Sequence, residues 1–481
     1  MDVDIATNSG DFTLVGPVTA TAGDGNAPSA IFPTAFGGAA RVSVSTPDTI
    51  TVGAGGIAAN GGEGASGSSS GAANIFLGFD PCGGECSISA TQVQVDGNLS
   101  ATAGTGNVAL VSIQATNDIA LGATGNISTL GNGTLDQAGA PAGIQLNAGN
   151  AITSSSTATL SAVRAGTGDV YVDLTAQNGI GTLAQPIRIA DDDAVPPTGP
   201  VLLAHNTGAS GDIAISIAFN GGTVTNNDWT GILNSNPDGG YLFQVENGSL
   251  ALGGPFLPDG SALFGNQSVA FATPQGSLTL GLGSSVQTFG TGTITLNAAA
   301  DVLLSDGATL AGSALTLSAG GMTQVTQGTA VIDTTTPFTN TGVLDIAAGA
   351  TLTTNGKSLV NASGGVLSGG GNLDLGSGTL TNDGIVQPGG ATNVGSLTLA
   401  GNYTQSSTGT LEVDLASATS YDLLAVSGSA TLGGTLNVAF LGGYIPVAGA
   451  THAVLNAAGG LSGQFSTIND TSALAAGYGP T

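Results

Sequence analysis

Apolar and polar residues alternate with a period of two in short runs along nearly the whole chain: RVSVS (41–45), TQVQVDG (91–97), NVALVSIQA (107–115), DVYVDLTA (169–176), SLTLGL (277–282), TITLNA (293–298) and ALTLSAG (314–320). Successive side chains of an extended chain point to opposite faces, so each run predicts a strand with one apolar and one polar face. Gly, Asn and Asp bound the runs and supply the turns. Helices are not expected, because no amphipathic 3.6-residue pattern of useful length survives the density of Gly and Thr. The pattern predicts an all-β protein.

Internal repeats decide between sandwiches and a solenoid. TNTGVLDI (339–346) returns as TNDGIVQPG (381–389), an offset of 42, and GGVLSGGG (364–371) falls between them. Rungs of about 20 residues predict a parallel β-helix, or β-solenoid, of roughly 20 rungs and roughly 100 Å, with strands stacked at about 4.8 Å. Inward side chains would form aliphatic ladders, with Gly or Asn at the corners.

Two interruptions break this rhythm. QPIRIADDDAVPPTGP (185–200) holds four prolines and three adjacent aspartates, which cannot continue a central ladder. The stretch from 219 to 271 gathers Phe219, Trp229, Tyr241, Phe243, Phe256 and Phe264 and reads as an irregular insertion or capped junction. The expected organisation is an N-terminal solenoid block (1–190), a Pro- and Asp-rich loop with an aromatic-containing insertion (191–275), a central solenoid block (276–382) and a C-terminal cap (383–481).

Composition sharpens this picture. The chain of 481 residues has 81 Gly, is 7% charged and is 41% hydrophobic, enough for a long but thin aliphatic core. Acidic residues outnumber basic ones 31 to 4, a net charge of -27, which repels phosphate backbones and anionic lipid. Nucleic acid is therefore excluded as an expected partner. No uninterrupted apolar run of about 20 residues predicts a membrane span. The start, MDVDIATNSG, has no basic or apolar leader pattern, so an excised mature fragment is expected. About one net negative charge falls on each rung, so the aspartates are expected to be staggered or matched by divalent cations, Ca2+ being the candidate ion.

The C-terminal stretch DGIVQPGGATNVGSLTLAGNYTQSSTGTLEVDLASATSYDLLAVSGSATLGGTLNVAFLGG (383–443) resembles the C-terminal passenger segment of bacterial autotransporters. The resemblance runs through Pro388 and Gly389, Leu397 to Gln405, Gly409 to Leu415 and Asp422 to Val438, and continues in GATHAVLNAAGGLSGQFSTI (449–468). Upstream, DLTAQNGIGTLAQPIRI (173–189) and the stretch 276–321 look like the repeats of filamentous-haemagglutinin-type secreted adhesins. The resemblance implies a right-handed parallel β-helix outside a Gram-negative cell, with stable C-terminal rungs that help folding start during secretion. It implies no substrate. The chain departs from a complete autotransporter in having no β-barrel after residue 481, so a passenger fragment or a segment of a larger exoprotein is expected.

Candidate chemistry is sparse. Cys82 and Cys86, in FDPCGGECSIS, are spaced to close a local disulfide and are too few for a zinc site. GSSSG (67–71) matches a nucleophile elbow only formally, since no helix pattern follows Ser69. Asp191, Asp192, Asp193, Asp212 and Asp301 are the general-acid and general-base candidates of a β-helical polysaccharide hydrolase, with solvated loop aspartates the stronger reading. A uronate lyase would need clustered cations, and Arg41, Arg164, Arg188 and Lys357 are scattered singly. His205 and His452 stand alone in the sequence. Trp229, Tyr241 and Phe243 offer a sugar-stacking platform, against the stronger reading that they form a local core.

The expected function is a non-catalytic extracellular adhesin or stalk segment of a secreted bacterial surface protein. It would contact host or environmental glycans or surface proteins through outward Thr, Ser and Asn, or associate with itself end to end or laterally. A carbohydrate-active β-helical hydrolase is the alternative, and a purely structural fibre or matrix segment the third.

Overall fold

The computed structural model describes residues 1–24, 38–64, 71–78, 90–104, 107–131, 143–155, 157–164, 171–191, 201–219, 222–225, 231–254, 263–447 and 449–470. Apart from one 3-10 turn at Leu441–Gly443, their regular structure is all strand, as the period-two runs predict. The chain divides into two compact units, Met1–Gly248 with Leu257–Ser261, and Ser249–Phe256 with Ala262–Thr481.

In the first unit the chain returns to the same ladder after every few strands. Ala40–Ser45, Ala73–Leu77, Ala109–Ala115, Gly143–Ala148, Tyr171–Ala176, Val201–Asn206 and Ile232–Asn234 pair in that order, all parallel. A second parallel ladder runs through Ile57–Asn60, Leu99–Thr102, Ile127–Gly131, Thr159–Arg164, Ile187–Asp191, Ile213–Phe219 and Gly240–Val245. The second unit repeats the scheme with Ser249–Leu252, Leu278–Leu280, Val302–Leu304, Thr323–Val325, Val343–Ile346, Val366–Gly369, Ile385–Pro388, Thr410–Leu415, Thr435–Phe440 and Thr467–Asp470. These long parallel sheets are consistent with a β-helix or solenoid.

The repeat found in the sequence is the register of the second unit. Asn340 meets Asn361, and Asn361 meets Asn382, each at an offset of 21, so two circuits make the offset of 42. The first unit uses more chain per circuit, 28 residues where Asn206 meets Asn234 and 38 where Asp11 reaches Thr49. A spacing of about 20 residues therefore describes only the middle of the second unit, whose steps lengthen to 28 from Leu250 to Leu278, 25 from Leu411 to Leu436 and 32 from Leu436 to Ile468.

Register turns alternation into aliphatic rows. Val42, Ile75, Val111, Ile144, Val172 and Leu202 occupy one buried row in the first unit. Leu344, Leu367, Val386, Leu411 and Leu436 form another in the second. Burying each such side chain is worth about 1.5–3 kcal/mol, which accumulates along the stack. Beside this row, Gly369 takes φ +108°, and a Cβ there would lie 2.1 Å from the Ile346 carbonyl oxygen, so the close approach admits no side chain.

Corners are held by stacked amides. Asn340 Nδ2 donates to Asn361 Oδ1 at 2.8 Å, and Asn361 Nδ2 to Asn382 Oδ1 at 2.8 Å. The next position is Gln405, whose Nε2 donates to the carbonyls of Gly409, Gly433 and Thr435. Tyr403 closes the group, its hydroxyl accepting from Asn382 Nδ2 and donating to Gln405 Oε1. In the first unit Asn206 donates to Asn234 at 2.7 Å in the same manner.

Val201–Asn206, Ile213–Phe219, Ile232–Asn234 and Gly240–Val245, expected within or beside an irregular insertion, are instead regular parallel strands. Their inward positions include aromatics where other circuits have aliphatics, which hid the alternation. Tyr241 and Phe243 are two such positions, 2% and 1% exposed, with rings stacked at 6.3 Å. The Tyr241 hydroxyl accepts the Asn234 backbone N–H at 2.9 Å.

Candidate functional site

The polar face of the second unit's long ladder carries a continuous row. In register order it runs Gln324, Asp345, Ser368, Gln387, then Glu412, Asn437 and Asn469. Strand alternation turns these residues away from the core because Leu344, Leu367, Val386, Leu411 and Leu436 take the inward positions, although Ser368 is itself covered at 7% exposure. The row is organised around its two carboxylates. Asp345 accepts from Gln324 Nε2 at 2.9 Å and from Ser368 Oγ at 2.8 Å. Glu412 accepts from Gln387 Nε2 and from Asn437 Nδ2, the latter at 3.1 Å, and Asn437 in turn accepts from Asn469. Each carboxylate thus sits between neutral donors, so like charges do not stack on adjacent strands.

Elsewhere aspartates stabilise the next circuit. Asp118 Oδ1 accepts the Ala151 N–H at 3.1 Å, Asp212 Oδ1 the Gly240 N–H at 2.7 Å, Asp301 Oδ1 the Met322 N–H at 2.9 Å and Asp306 Oδ1 the Thr329 N–H at 2.8 Å. Asp212 and Asp301, two of the hydrolase candidates, are therefore turn caps. Asp192 and Asp193, and the side chain of Asp191, lie outside the described residues.

Three basic side chains are each matched to one acid. Arg188 makes a two-pronged pair with Glu246, Nε to Oε1 and Nη2 to Oε2, both at 2.6 Å, with Ser216 Oγ on the same carboxylate at 2.7 Å. The guanidinium bonds hold Glu246 below the usual carboxylate range against the opposing effect of burial. Lys357 bonds Asp333, and Arg41 lies 3.6 Å from Asp4. The side chain of Arg164 lies outside the described residues.

A titratable patch forms on the first unit's outer face, where Tyr171, Asp173 and Thr175 share one strand and His205 stands opposite Thr175. Burial holds Asp173 above the usual carboxylate range, partly offset by His205 and by Thr175. Burial and Asp173 together push the Tyr171 hydroxyl up. His205, alone in the sequence, gains this setting only through the 30-residue register step between Tyr171 and Val201.

His452 is likewise gathered in. Its ring meets Tyr421 edge-on at 5.1 Å, and its Nε2 lies 3.2 Å from the Tyr444 hydroxyl. Next to Tyr421, Asp422 is 1% exposed and Asp414 is 8% exposed. Burial, helped by Asp414 and opposed by two backbone hydrogen bonds, pushes Asp422 up to about 7. Burial and Glu412 raise Asp414.

Of the sequence-predicted stacking platform, Tyr241 and Phe243 point into the interior and present no open ring face, and Trp229 lies outside the described residues. Cys82 and Cys86 also lie outside them. Among the described residues, no group of three or more His, Cys, Asp or Glu is placed to hold a metal, and no helix is long and apolar enough to cross a membrane. Comparison with known proteins finds no family model and no curated protein that matches this chain.

Proposed function

We propose that this chain is a non-catalytic segment of a right-handed parallel β-helix on a secreted bacterial surface protein, acting as an adhesin or stalk outside a Gram-negative cell. The supporting observation is the outward row from Gln324 to Asn469, a polar strip maintained in register over successive circuits. Amides and carboxylates along strands spaced at about 4.8 Å offer many weak hydrogen bonds to an extended polyol such as a glycan. Affinity would come from repetition. The C-terminal resemblance to autotransporter passengers supports the same reading through Leu397 to Gln405 and Gly409 to Leu415.

A polysaccharide hydrolase is the second reading, favoured by the Tyr171–Asp173–His205 patch. A general acid needs a carboxyl that keeps its proton toward neutral pH, and Asp173 is shifted in that direction. Incubating the chain and its Asp173→Asn variant with plant, host and bacterial polysaccharides, while recording bound protein and new reducing ends, separates the two. Binding without new ends, weakened by Gln387→Ala with Asn437→Ala, supports the adhesin. New ends that vanish in Asp173→Asn replace it with the enzyme, and neither binding nor cleavage removes the glycan-contact role.

A further inference from the structure

Two buried carboxylates meet where three segments of the second unit converge. Asp414 lies near the end of the strand Thr410–Leu415, and Asp422 enters from the loop that leaves it. Asp422 Oδ2 accepts the Asp414 N–H at 2.8 Å, and Oδ1 accepts the Gly395 N–H at 2.7 Å, while the Asp422 N–H returns to the Asp414 carbonyl at 2.8 Å. One side chain thus ties the 389–395 turn and the 416–421 loop to the same strand. Gly389, at φ +81°, leaves the necessary room, since a Cβ there would lie 2.8 Å from Asp422 Oδ1.

Charge is the difficulty in this arrangement. Both residues are more than nine-tenths buried, and among the described residues the Asp414 carboxylate has no hydrogen-bond partner. Arg41, Arg188 and Lys357 are engaged by Asp4, Glu246 and Asp333. Titratable groups on the surrounding elements are Glu412 on the same strand, Tyr421 in the loop, and Tyr444 and His452 on the 441–454 segment. The 389–395 turn contributes none. A carboxylate as buried as that of Asp422, with an acidic neighbour and no cation beside it, is unfavourable when ionised, and the ordinary remedy is retention of a proton.

We propose that the Asp414–Asp422 pair is a proton-operated latch, which holds the 389–395 turn and the 416–421 loop closed while it carries a proton and loosens them when the proton leaves. Because burial holds the Asp422 carboxyl above its ordinary value, up to about 7, the folded state binds more protons than the unfolded chain across that window. Stability contributed by the latch is therefore greatest at the acid end and declines as pH rises through the window.

Thermal melts from pH 4 to 9, with hydrogen exchange of peptides spanning 389–395 and 415–423 normalised for intrinsic rate, test this in the full chain. The expected wild-type result is a melting temperature that falls with rising pH and faster exchange in those two peptides than in 359–369. Asp422→Asn should remove the pH-dependent exchange. Should that variant fail to fold, Asp414→Asn decides: loss of the neighbouring charge should move the midpoint to lower pH. A flat wild-type profile, or an Asp414→Asn profile that overlays it, overturns the latch. A profile that millimolar Ca2+ abolishes and EDTA restores also overturns it, assigning the neutralising charge to a cation.

Discussion

Asn361 and Asn382 stack amide on amide inside the second unit: Asn361 Nδ2 donates to Asn382 Oδ1 at 2.8 Å and also to the Ile385 carbonyl at 2.8 Å, with both residues fully buried. Asn361→Leu keeps the volume but orphans Asn382 Oδ1 and removes one of the donors to the Ile385 carbonyl. Each orphaned buried group costs about 1–3 kcal/mol. Urea melts should show a clear fall in the unfolding midpoint, whereas an unchanged midpoint would mean that the corner needs only shape.

Leu436 ends a buried aliphatic row and is 8% exposed. Leu436→Asp places an unpaired charge against Leu411 and should destabilise the C-terminal circuits by several kcal/mol. Limited proteolysis should cut that region faster in the variant. Wild-type resistance would contradict the inward assignment.

Gly369→Ala tests the closest approach in the same ladder. Its φ of +108° and the 2.1 Å separation from the Ile346 oxygen leave the methyl no space, and the backbone strain alone is worth about 1–3 kcal/mol. Gly390→Ala is the control for positive φ without crowding, having φ +93° and open space around its Cβ. Gly369→Ala should lower the melting temperature more than Gly390→Ala does.

The Arg188–Glu246 pair gives the first unit an acid limb of opposite sign to the latch. Glu246 is held below the ordinary glutamate value of 4.5, so its contribution is present above that pH and is lost as pH falls through the depressed folded value. In Glu246→Gln the melting temperature should vary less with pH below 4.5 than in the wild type. Parallel acid limbs in the two proteins would show that the pair is too hydrated to matter.

Strand positions and the 21-residue step in the middle of the second unit were legible in the sequence because alternation and the TN-containing repeat are both local patterns. Asn340, Asn361 and Asn382 even mark its corners. The strands between 201 and 245 were not legible, since inward Tyr241 and Phe243 look like any aromatic near a turn until their pairing with Ile213 and Ile215 fixes the register. The same limit hid the contacts of Arg188 with Glu246, 58 residues apart, and of His452 with Tyr421. Such encounters depend on circuit length, which varies from 43 residues between Thr49 and Gln92 to 19 between Val366 and Ile385.

The placement of the few basic side chains has a consequence for survival among digestive enzymes. Proteases that cut after Lys or Arg have only four target bonds in 481 residues. Arg41 and Arg188 lie within strands, and Arg188 and Lys357 are clamped by Glu246 and Asp333. At these two sites a trypsin-like enzyme must break an ion pair as well as draw the backbone into its cleft. Such an enzyme is therefore poorly suited to attack this surface, whereas one that cuts after small or aliphatic residues meets no comparable scarcity of sites.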